Sequence, residues 1–314
     1  LVEAGIVSGW DDPRLSTVRG IRRRGVPPEA LRLFCKMIGV AKAQSVVDIG
    51  KLEYAIREVL NQAAPRVMAV LDPIKIVLTD YPDGQTEEFE APYFPHDVPR
   101  EGTRMVPFSN ELFIERTDFE EDPPPGFRRL VPGGEVRLRH AYVVRCEKVV
   151  RDKAGQLMEL HCTHDSESRG GKGTAGRKVK GTIQWVSSAH ALTAEIRMYD
   201  HLFLEIPESD SDEDEEIVSR INPNSLRILE GAKVEPSIGD DSPDTRYQFE
   251  RTGYFWKDPT DGVGEELVFN RIVSLKDSWS RSTAKSDVKV PKGKSGSEKV
   301  MNKPKSLEKP AVNE

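Results

Sequence analysis

Cysteine is scarce in this chain of 314 residues: only Cys35, Cys146 and Cys162 occur, and no C-x-x-C spacing is present. An odd cysteine count without that spacing argues against a disulfide framework and against a cysteine-rich zinc site. Long apolar runs are missing as well, because no stretch approaches the roughly 18 residues that span a membrane. The sequence therefore argues against an integral membrane protein, and the scarcity of cysteine favours the reducing cytoplasm as the compartment of the protein.

The chain also lacks the catalytic motifs G-x-S-x-G and H-E-x-x-H and a Walker lysine loop. Residues 171–176 match G-x-G-x-x-G, but a dinucleotide site needs a strand before the glycines and a helix after them. A hydrophilic stretch precedes these glycines and a strand-like segment follows, which favours a flexible loop. His161, Cys162 and His164 predict no metal site, because neighbours in a strand face opposite sides and a fourth ligand is absent. We predict no catalytic, cofactor-binding or metal-binding residue in this stretch.

Charged residues are abundant but unevenly placed. The net charge of −6 weakly disfavours nucleic acid as a ligand. Basic residues exceed acidic ones over 1–70, 127–200 and 281–314, whereas acidic residues dominate over 71–126 and 201–280. A basic face is typical of proteins that bind a phosphate backbone, although solvated surface is the plain alternative for each block.

The first 65 residues have the pattern of helices. Proline is tolerated at the start of a helix, so an apolar stripe with helical spacing predicts a helix from Pro28 to Ile38 that Gly39 ends. Asp48 is a suitable N-cap for a second amphipathic helix, which ends before Pro65. Both stripes indicate core packing.

Short strands are predicted from residue 67 onward. Alternating or apolar runs bounded by turn residues occur at 68–70, 74–78, 105–108, 111–115, 135–150, 157–163, 180–186, 225–229, 247–250 and 266–274. Ser109-Asn110 indicates a hairpin between the third and fourth runs, and residues 153–155 indicate a turn that returns the chain after residue 150. Since strands do not alternate regularly with long helices, the sequence predicts an α+β fold with one or two antiparallel β-barrels.

Two segments have the composition of disordered chain. Residues 208–216 contain seven acids in nine positions, which is typical of a solvated loop. Residues 281–314 are rich in Lys, Ser and Pro and have few residues that could form a core. The tail is therefore predicted to be a disordered basic end, with weak polyanion binding as the alternative.

A short basic helix is predicted near the start of the chain. Asp12-Pro13 is a turn signal, Ser16 or Thr17 can cap the helix, and Gly25 can end it. Three arginines with helical spacing form one face that suits phosphates or an acidic protein surface: Arg19, Arg22 and Arg23.

Residues 9–25 read GWDDPRLSTVRGIRRRG, and this run resembles the class I aminoacyl-tRNA synthetases for glutamine and glutamate, where it lies just after the KMSKS-type loop. Further segments are similar to the bacterial type of glutaminyl-tRNA synthetase: residues 65–70, 106–109, 134–139, 183–191, 195–203 and 247–255. The resemblance covers about residues 1–280, with these motifs in the family's order.

The resemblance implies a helical connector that follows the catalytic domain, and then two β-barrels that bind the anticodon. The implied boundaries are a connector over 1–65, a proximal barrel from 66–120 and 218–280, a distal barrel over 121–217, and a tail over 281–314. The tail lies outside the resemblance.

The implied activity joins glutamine to its tRNA with ATP and Mg²⁺. The HIGH-type motif and the KMSKS-type loop of the family are absent from these 314 residues, and the chain begins at Leu1 without an initiator methionine. We therefore expect a longer natural protein, and no catalysis and no bound cofactor from this stretch alone. The implied partner is the tRNA for glutamine, with no DNA, no membrane and no second copy of the chain.

The resemblance also implies which residues read the anticodon. Arg66, Gln248 and Arg251 would lie by the middle and neighbouring bases, Arg129 would face the third base, and Arg137 and Arg139 would serve the first. Arginine presents a planar fork of donors, and glutamine both donates and accepts. Two alternatives stay open: Arg137 and Arg139 could be solvated strand residues, and Arg251 could pair with Glu250 or with another acid.

Two other functions remain compatible with the sequence. A glutamyl-tRNA synthetase has the same barrels, although residues 183–191 argue against it. A stand-alone RNA-binding module without catalysis is the other.

Overall fold

The computed structural model describes residues 1–39, 46–171, 177–204, 217–263 and 266–275. The acidic segment 208–216, the tail 281–314 and all but the first residue of the glycine motif lie outside these ranges. No helix within the described ranges is long and apolar enough to cross a membrane.

Three helices occupy the first part of the chain: α1 (Val18–Arg24), α2 (Pro28–Ile38) and α3 (Ile49–Ala63). The predicted caps are confirmed. The Thr17 hydroxyl accepts a hydrogen bond from the Gly20 amide at 2.9 Å, and Gly25 ends α1 with a φ of 103°. The Asp48 carboxylate accepts from the Gly50 amide at 2.7 Å at the start of α3. Local signals therefore determine where these helices begin and end.

Sixteen strands follow within the described residues. They are β1 (Arg66–Val67), β2 (Ala69–Val70), β3 (Pro73–Leu78), β4 (Glu87–Pro92), β5 (Thr103–Phe108), β6 (Glu111–Glu115), β7 (Glu135–Leu138), β8 (Val143–Arg151), β9 (Leu157–Asp165), β10 (Thr182–Ile183), β11 (Trp185–Ser187), β12 (Leu192–Tyr199), β13 (Leu226–Val234), β14 (Arg246–Phe249), β15 (Gly253–Lys257) and β16 (Val268–Ser274).

The strands form two seven-stranded sheets and one two-stranded ribbon. The first sheet has the order β1-β14-β15-β16-β12-β13-β2, the second has the order β10-β7-β8-β9-β3-β6-β11, and the ribbon is β4-β5. The α+β class with two barrel-like sheets is confirmed. Most pairs are antiparallel, but four are parallel: β1·β14, β10·β7, β12·β16 and β3·β9. Parallel pairs arise here because these partners are far apart in sequence, whereas a hairpin forces the antiparallel direction.

Strand pairing joins segments on the two sides of the boundaries that the resemblance implies at residues 120 and 217, and the boundaries themselves stay a prediction. Strands β3 and β6 lie within residues 66–120, yet they pair with β9 and β11 of the second sheet. Strand β12 lies within 121–217, yet it pairs with β13 and β16 of the first sheet. Packing explains these pairings. The buried side chains of β3 belong to the hydrophobic core of the second sheet, and those of β12 belong to the core of the first sheet.

The predicted hairpin at Ser109-Asn110 is wrong. Strand β5 pairs with β4, and β6 pairs with β3 and β11. A tight two-residue hairpin needs positive φ angles, and neither Ser109 nor Asn110 has one. The Ser109 hydroxyl instead contacts the Glu111 carbonyl at 2.8 Å and the Ser187 hydroxyl at 2.7 Å. The chain therefore passes from the ribbon into the second sheet at this point.

Two predicted strands are each divided in two. The run at 135–150 forms β7 and β8, which pair with each other, because the chain turns at His140 with a φ of 63°. The run at 180–186 forms β10 and β11, which pair with different strands. The predicted return strand after residue 150 is confirmed as β9. Strands β1, β4, β12 and β15 lie outside the predicted runs.

The helices pack on the first sheet. Ala30 of α2 and Leu60 of α3 are buried in one cluster with Trp256 of β15 and Ile272 of β16. This contact fixes the end of α3, and so the start of β1, against the strands that carry the candidate site.

Candidate nucleic-acid interface

The turn between β14 and β15 carries Glu250 and Arg251 to the second sheet. Glu250 is buried. Arg251 has a φ of 64°, a backbone conformation that residues other than glycine rarely adopt. Each pairs with a charge from the segment 116–139. We call this group of five residues the seam: Asp118, Arg129, Arg139, Glu250 and Arg251.

Arg251 makes a two-pronged contact with Asp118. Its Nη1 and Nη2 atoms donate to the two carboxylate oxygens at 2.7 and 2.6 Å, and the Asp118 side chain is fully buried. This hydrogen bonding raises the pKa of Arg251 above its usual value. Of the alternatives left open by the sequence, Arg251 therefore pairs with an acid other than Glu250, and that acid is Asp118.

Arg129 contacts the same carboxylate from another direction. Its Nε atom lies 3.1 Å from Asp118 Oδ1, and its Nη1 donates to the Thr117 carbonyl at 2.9 Å. The Arg129 side chain remains 42% exposed. One buried carboxylate thus holds two exposed guanidinium groups.

Arg139 and Glu250 form the other pair of the seam. Arg139 Nε lies 2.7 Å from Glu250 Oε2. Burial raises the pKa of Glu250 above its usual value, although the charges of Arg139 and Arg104 act to lower it. Arg139 is therefore not a freely solvated strand residue.

Arg66 and Gln248 are direct partners on β1 and β14. Arg66 Nε donates to the Gln248 side-chain oxygen at 3.0 Å, and Arg66 Nη2 donates to Asn61 at 2.9 Å. The remaining nitrogen, Arg66 Nη1, is buried and has no hydrogen-bond partner within the described residues. Buried donors are normally satisfied, so this nitrogen is a candidate ligand contact.

Arg137 lies on β7 beside a crowded backbone. Its amide donates to the Gly181 carbonyl at 3.0 Å, and its Nη1 atom is buried without a partner in the described ranges. A Cβ atom at Gly181 would lie 1.9 Å from the Arg128 carbonyl oxygen. Glycine at this position therefore lets the loop that carries Arg129 approach the strand that carries Arg137.

The basic face of α1 is divided. Arg19 and Arg22 are exposed, as predicted. Arg23 is mostly buried and pairs with Asp11, Asp258 and Asp261 at 2.9, 3.3 and 2.8 Å. The sequence allowed either phosphates or an acidic protein surface as the partner of this face. In the structure Arg23 contacts an acidic surface, and that surface belongs to the same chain.

Sequence reasoning missed two residues at this site, Asp118 and His140, and gave a third another partner. Asp118 lies outside the motifs and is 133 residues from Arg251. Glu250 was considered only as a partner of Arg251, whereas it pairs with Arg139. His140 adjoins Arg139, and its Nε2 is buried without a hydrogen-bond partner among the described residues. Burial and the charges of Arg139 and Arg104 lower the pKa of His140 to about 4, so its ring is neutral at pH 7. No local signal marks Asp118, because Arg116, Thr117 and Glu120 around it are exposed and a carboxylate there is expected at the surface as well.

The metal reading of His161, Cys162 and His164 finds no support. His161 contacts Glu159 at 2.9 Å, and His164 contacts Asp80 at 3.0 Å. No group of three or more His, Cys, Asp or Glu side chains in the described part of the chain is arranged to hold a metal ion.

The arrangement presents hydrogen-bond donors from separate strands, together with one amide group. Arginine donors suit acceptor-rich base edges and phosphates, and a glutamine amide can match an edge that has both a donor and an acceptor. The chemistry of the site is therefore that of recognition.

Three family models match the chain. Two have the description "tRNA synthetases class I (E and Q), anti-codon binding domain", and they match residues 64–165 and 182–258. The third, "tRNA synthetases class I (E and Q), catalytic domain", matches residues 1–62. This third match covers residues for which the sequence predicted a connector following the catalytic domain.

Curated relatives agree with the family models. The chain is 51% identical over 284 residues to the glutamine–tRNA ligase of Nitrobacter winogradskyi, 50% over 282 residues to that of Ectopseudomonas mendocina, and 50% over 279 residues to that of Clostridium perfringens. The alignments cover 90%, 90% and 89% of this chain and 50% of each relative, so the chain spans about half the length of the curated relatives it matches. The chain therefore belongs to the glutamate and glutamine (E and Q) group of the class I tRNA synthetases.

Proposed function

We propose that this chain recognises the anticodon of glutamine tRNA within a glutamine–tRNA ligase, which attaches glutamine to its tRNA with ATP. In this proposal Arg66, Gln248, Arg137 and the seam contact the anticodon bases, while the exposed arginines of α1 contact the RNA backbone. The relatives are glutamine–tRNA ligases, which indicates the amino acid, and the matches to anticodon-binding domains indicate the kind of contact.

The observation that carries the proposal is convergence on the β14–β15 hairpin. Gln248 and Arg251 lie in this hairpin. Arg66 contacts Gln248, and Arg139 contacts Glu250 of the same hairpin. Arg129 is joined to Arg251 through the carboxylate of Asp118, so five arginine or glutamine residues gather here. They come from both sheets, and Arg66 and Gln248 are 182 residues apart. Recognition of single-stranded RNA requires donors and acceptors around bases that have left the stack, and such a convergence of distant strands supplies them.

Each base contact has a proposed position. Arg66, Gln248 and Arg251 lie by the middle and neighbouring bases, Arg129 faces the third, and Arg137 and Arg139 serve the first. The Nη1 atoms of Arg66 and Arg137 are buried without a partner among the described residues. A base edge or a phosphate would satisfy them once the guanidinium turns outward, and this supports the proposed roles.

The backbone contacts are proposed for Arg19 and Arg22. Both are exposed on α1, so a phosphate could approach either side chain. Arg23 is the weakest member of the proposed backbone group, because a phosphate would have to compete with its three carboxylate partners.

The remaining properties belong to the ligase as a whole. ATP and Mg²⁺ are its proposed cofactors, and the proposal assigns no step of the reaction to residues of this chain. A cytoplasmic monomer that binds no DNA and no membrane completes the proposal. The 314-residue chain is expected to give no ATP–pyrophosphate exchange with glutamine and tRNA, and exchange above background would contradict this division of roles.

The test of the proposed function is binding of the 314-residue chain to tRNAs that differ only in the anticodon. Fluorescence anisotropy at one fixed salt concentration gives the dissociation constants. We expect the glutamine anticodon to bind more tightly than each single-base variant, by about 1–3 kcal/mol per base; this range is borrowed from DNA base readout. Equal binding of all anticodons would contradict the proposal, and preference for a glutamate anticodon would favour the glutamyl alternative.

A further inference from the structure

Asp118 is the only fully buried carboxylate among the five residues of the seam, and both of its oxygens contact arginine. It ends a turn of 3-10 helix over Arg116–Asp118, directly after β6 of the second sheet. Arg251 reaches it from the β14–β15 hairpin of the first sheet. Arg129 reaches it from a loop, and that loop is fixed to the turn because the Leu130 amide donates to the Asp118 carbonyl at 3.0 Å.

The charges do not cancel at this point. A buried carboxylate needs compensation, and one guanidinium would provide it. Asp118 has two, so this group of three side chains keeps one positive charge in excess. Both arginine side chains are partly exposed, at 42% for Arg129 and 32% for Arg251, which places the excess charge at the surface.

The contacts also leave donors unused. A guanidinium group has five N–H bonds. The contacts with Asp118 and Thr117 engage two N–H bonds of Arg251 and no more than two of Arg129. At least three N–H bonds of each side chain are therefore not engaged by these contacts, and their directions are set by the shared carboxylate.

We propose that Asp118 is a shared positioning residue, which holds Arg129 and Arg251 in one fixed arrangement so that two neighbouring anticodon bases are read as a unit. The inference rests on the proposed function, since it assigns a role in recognition of the same bases. Asp118 touches no base itself. It fixes where the donors of the two arginines point, and it joins a loop of the second sheet to a hairpin of the first.

Removal of this carboxylate has two opposite consequences. The two arginines gain freedom, so discrimination between anticodons falls. The surface also loses one negative charge, so attraction to any RNA backbone rises. A residue that only stabilised the fold would lower binding to all tRNAs equally, which separates the two roles.

The test compares Asp118→Asn with Asp72→Asn in the 314-residue chain. Asp72 is a matched control, because its carboxylate contacts Arg116 at 3.2 Å, lies close to the same turn and is 56% exposed. Dissociation constants are measured for tRNAs with the glutamine anticodon and with single-base variants. We expect Asp118→Asn to lose about tenfold in discrimination at the middle and third bases, while its affinity for the variant tRNAs stays equal or rises. Asp72→Asn should keep the discrimination of the unmodified chain.

A second variant covers the case in which Asp118→Asn fails to fold. Arg251→Gln should weaken discrimination at the third base, which Arg129 faces, as well as at the middle base. Gln248→Ala should affect the third base less than Arg251→Gln does, because Gln248 has no hydrogen bond to Asp118 and does not share a carboxylate with Arg129.

Three results would each overturn the inference. The first is full discrimination in Asp118→Asn, the second is a uniform loss of affinity of Asp118→Asn for every tRNA, and the third is an Arg251→Gln effect confined to the middle base. If the unmodified chain shows no anticodon preference, the proposed function fails instead, and the two failures are distinguishable.

Discussion

Two arginine-rich regions of this molecule meet carboxylates in opposite proportions. Around Arg23 of α1, two guanidinium groups, those of Arg23 and Arg197, face three carboxylates, from Asp11, Asp258 and Asp261. In the seam, three guanidinium groups face the two carboxylates of Asp118 and Glu250. The first group has negative charge in excess and the second has positive charge in excess.

The difference separates arginines that stabilise the fold from arginines that can receive a ligand. Where carboxylates outnumber arginines, the donors are directed inward and an RNA phosphate meets repulsion. Where arginines outnumber carboxylates, donors and charge remain at the surface for an acceptor-rich partner. Sequence alone ranks these arginines equally, because it does not show how many acids each one meets.

The largest expected effect is a loss of stability when a carboxylate is removed from the group around Arg23. Asp258 is buried, and its carboxylate also accepts from the amides of Thr260 and Asp261 at 2.8 and 2.9 Å. Asp258→Ala should lower the free energy of unfolding by about 3–5 kcal/mol, because it takes one carboxylate from the mostly buried Arg23 and removes the acceptor of two amides and of the buried Asn270 side chain. Urea denaturation measures the change. Asp11→Ala is the control, since that side chain is 47% exposed and its loss should cost less than about 1 kcal/mol.

A second effect tests the backbone that supports the seam. Gly181→Ala places a Cβ atom 1.9 Å from the Arg128 carbonyl oxygen, so the loop that carries Arg129 must move. We expect a loss of about 1–3 kcal/mol in unfolding free energy and weaker discrimination at the third base. Gly239→Ala provides the control, because its new Cβ would meet only Leu192, at 3.4 Å. Similar effects of both substitutions would refute the special role of Gly181.

The third effect concerns the pH dependence of stability. His140 and His201 have pKa values that are shifted in opposite directions. Excess positive charge and burial lower the pKa of His140 to about 4. The unfolded chain binds a proton near pH 6.5 and the folded chain does not, so His140 should make the protein less stable as the pH falls from 6.5 towards 4. The expected loss is about 1–2 kcal/mol at pH 5, reduced from the full linkage value because the group is only partly buried.

His201 should behave in the opposite way. Its Nε2 atom lies 3.0 Å from Glu53, and this contact raises its pKa. The stabilisation is therefore complete below pH 6.5 and is lost as the pH rises through the raised pKa. Denaturation curves of His140→Gln and His201→Gln at pH 5 and pH 8 measure both effects. Equal pH dependence in the two variants would contradict the assigned surroundings.

The smallest expected effect concerns salt. If the exposed side chain of Arg22 contacts an RNA phosphate, Arg22→Ala should reduce the slope of log affinity against log salt concentration by about 1. Arg23→Ala should change that slope less, because its charge is already compensated by acids. A larger change for Arg23 than for Arg22 would reverse the comparison between the two groups of arginines.

Local signals made much of the fold predictable. The caps Thr17 and Asp48 and the stop at Gly25 act on neighbouring residues, so they can be identified without tertiary structure. The alternation of buried side chains likewise predicted most strands. What it did not specify was the partner of each strand, which is why β5 and β6 were wrongly joined into a hairpin.

The candidate site was predictable only in part. The resemblance identified the arginines and Gln248, because it rests on whole segments of sequence. It did not identify Asp118, since nothing local relates a carboxylate in a short turn to Arg251, 133 residues later. The tight turn at His140, which divides β7 from β8, was missed for another reason: the alternation of side chains continues through it, from Val136 to Val144.

The central claim is that the seam and its neighbours read bases while α1 contacts the RNA backbone. The most direct measurement is competition binding of Gln248→Ala and Arg22→Ala to tRNAs that differ only in the anticodon. The account predicts that Gln248→Ala loses about 1–3 kcal/mol of preference for the glutamine anticodon, whereas Arg22→Ala binds every tRNA more weakly and keeps its preference. An equal and uniform loss for both variants would contradict the claim.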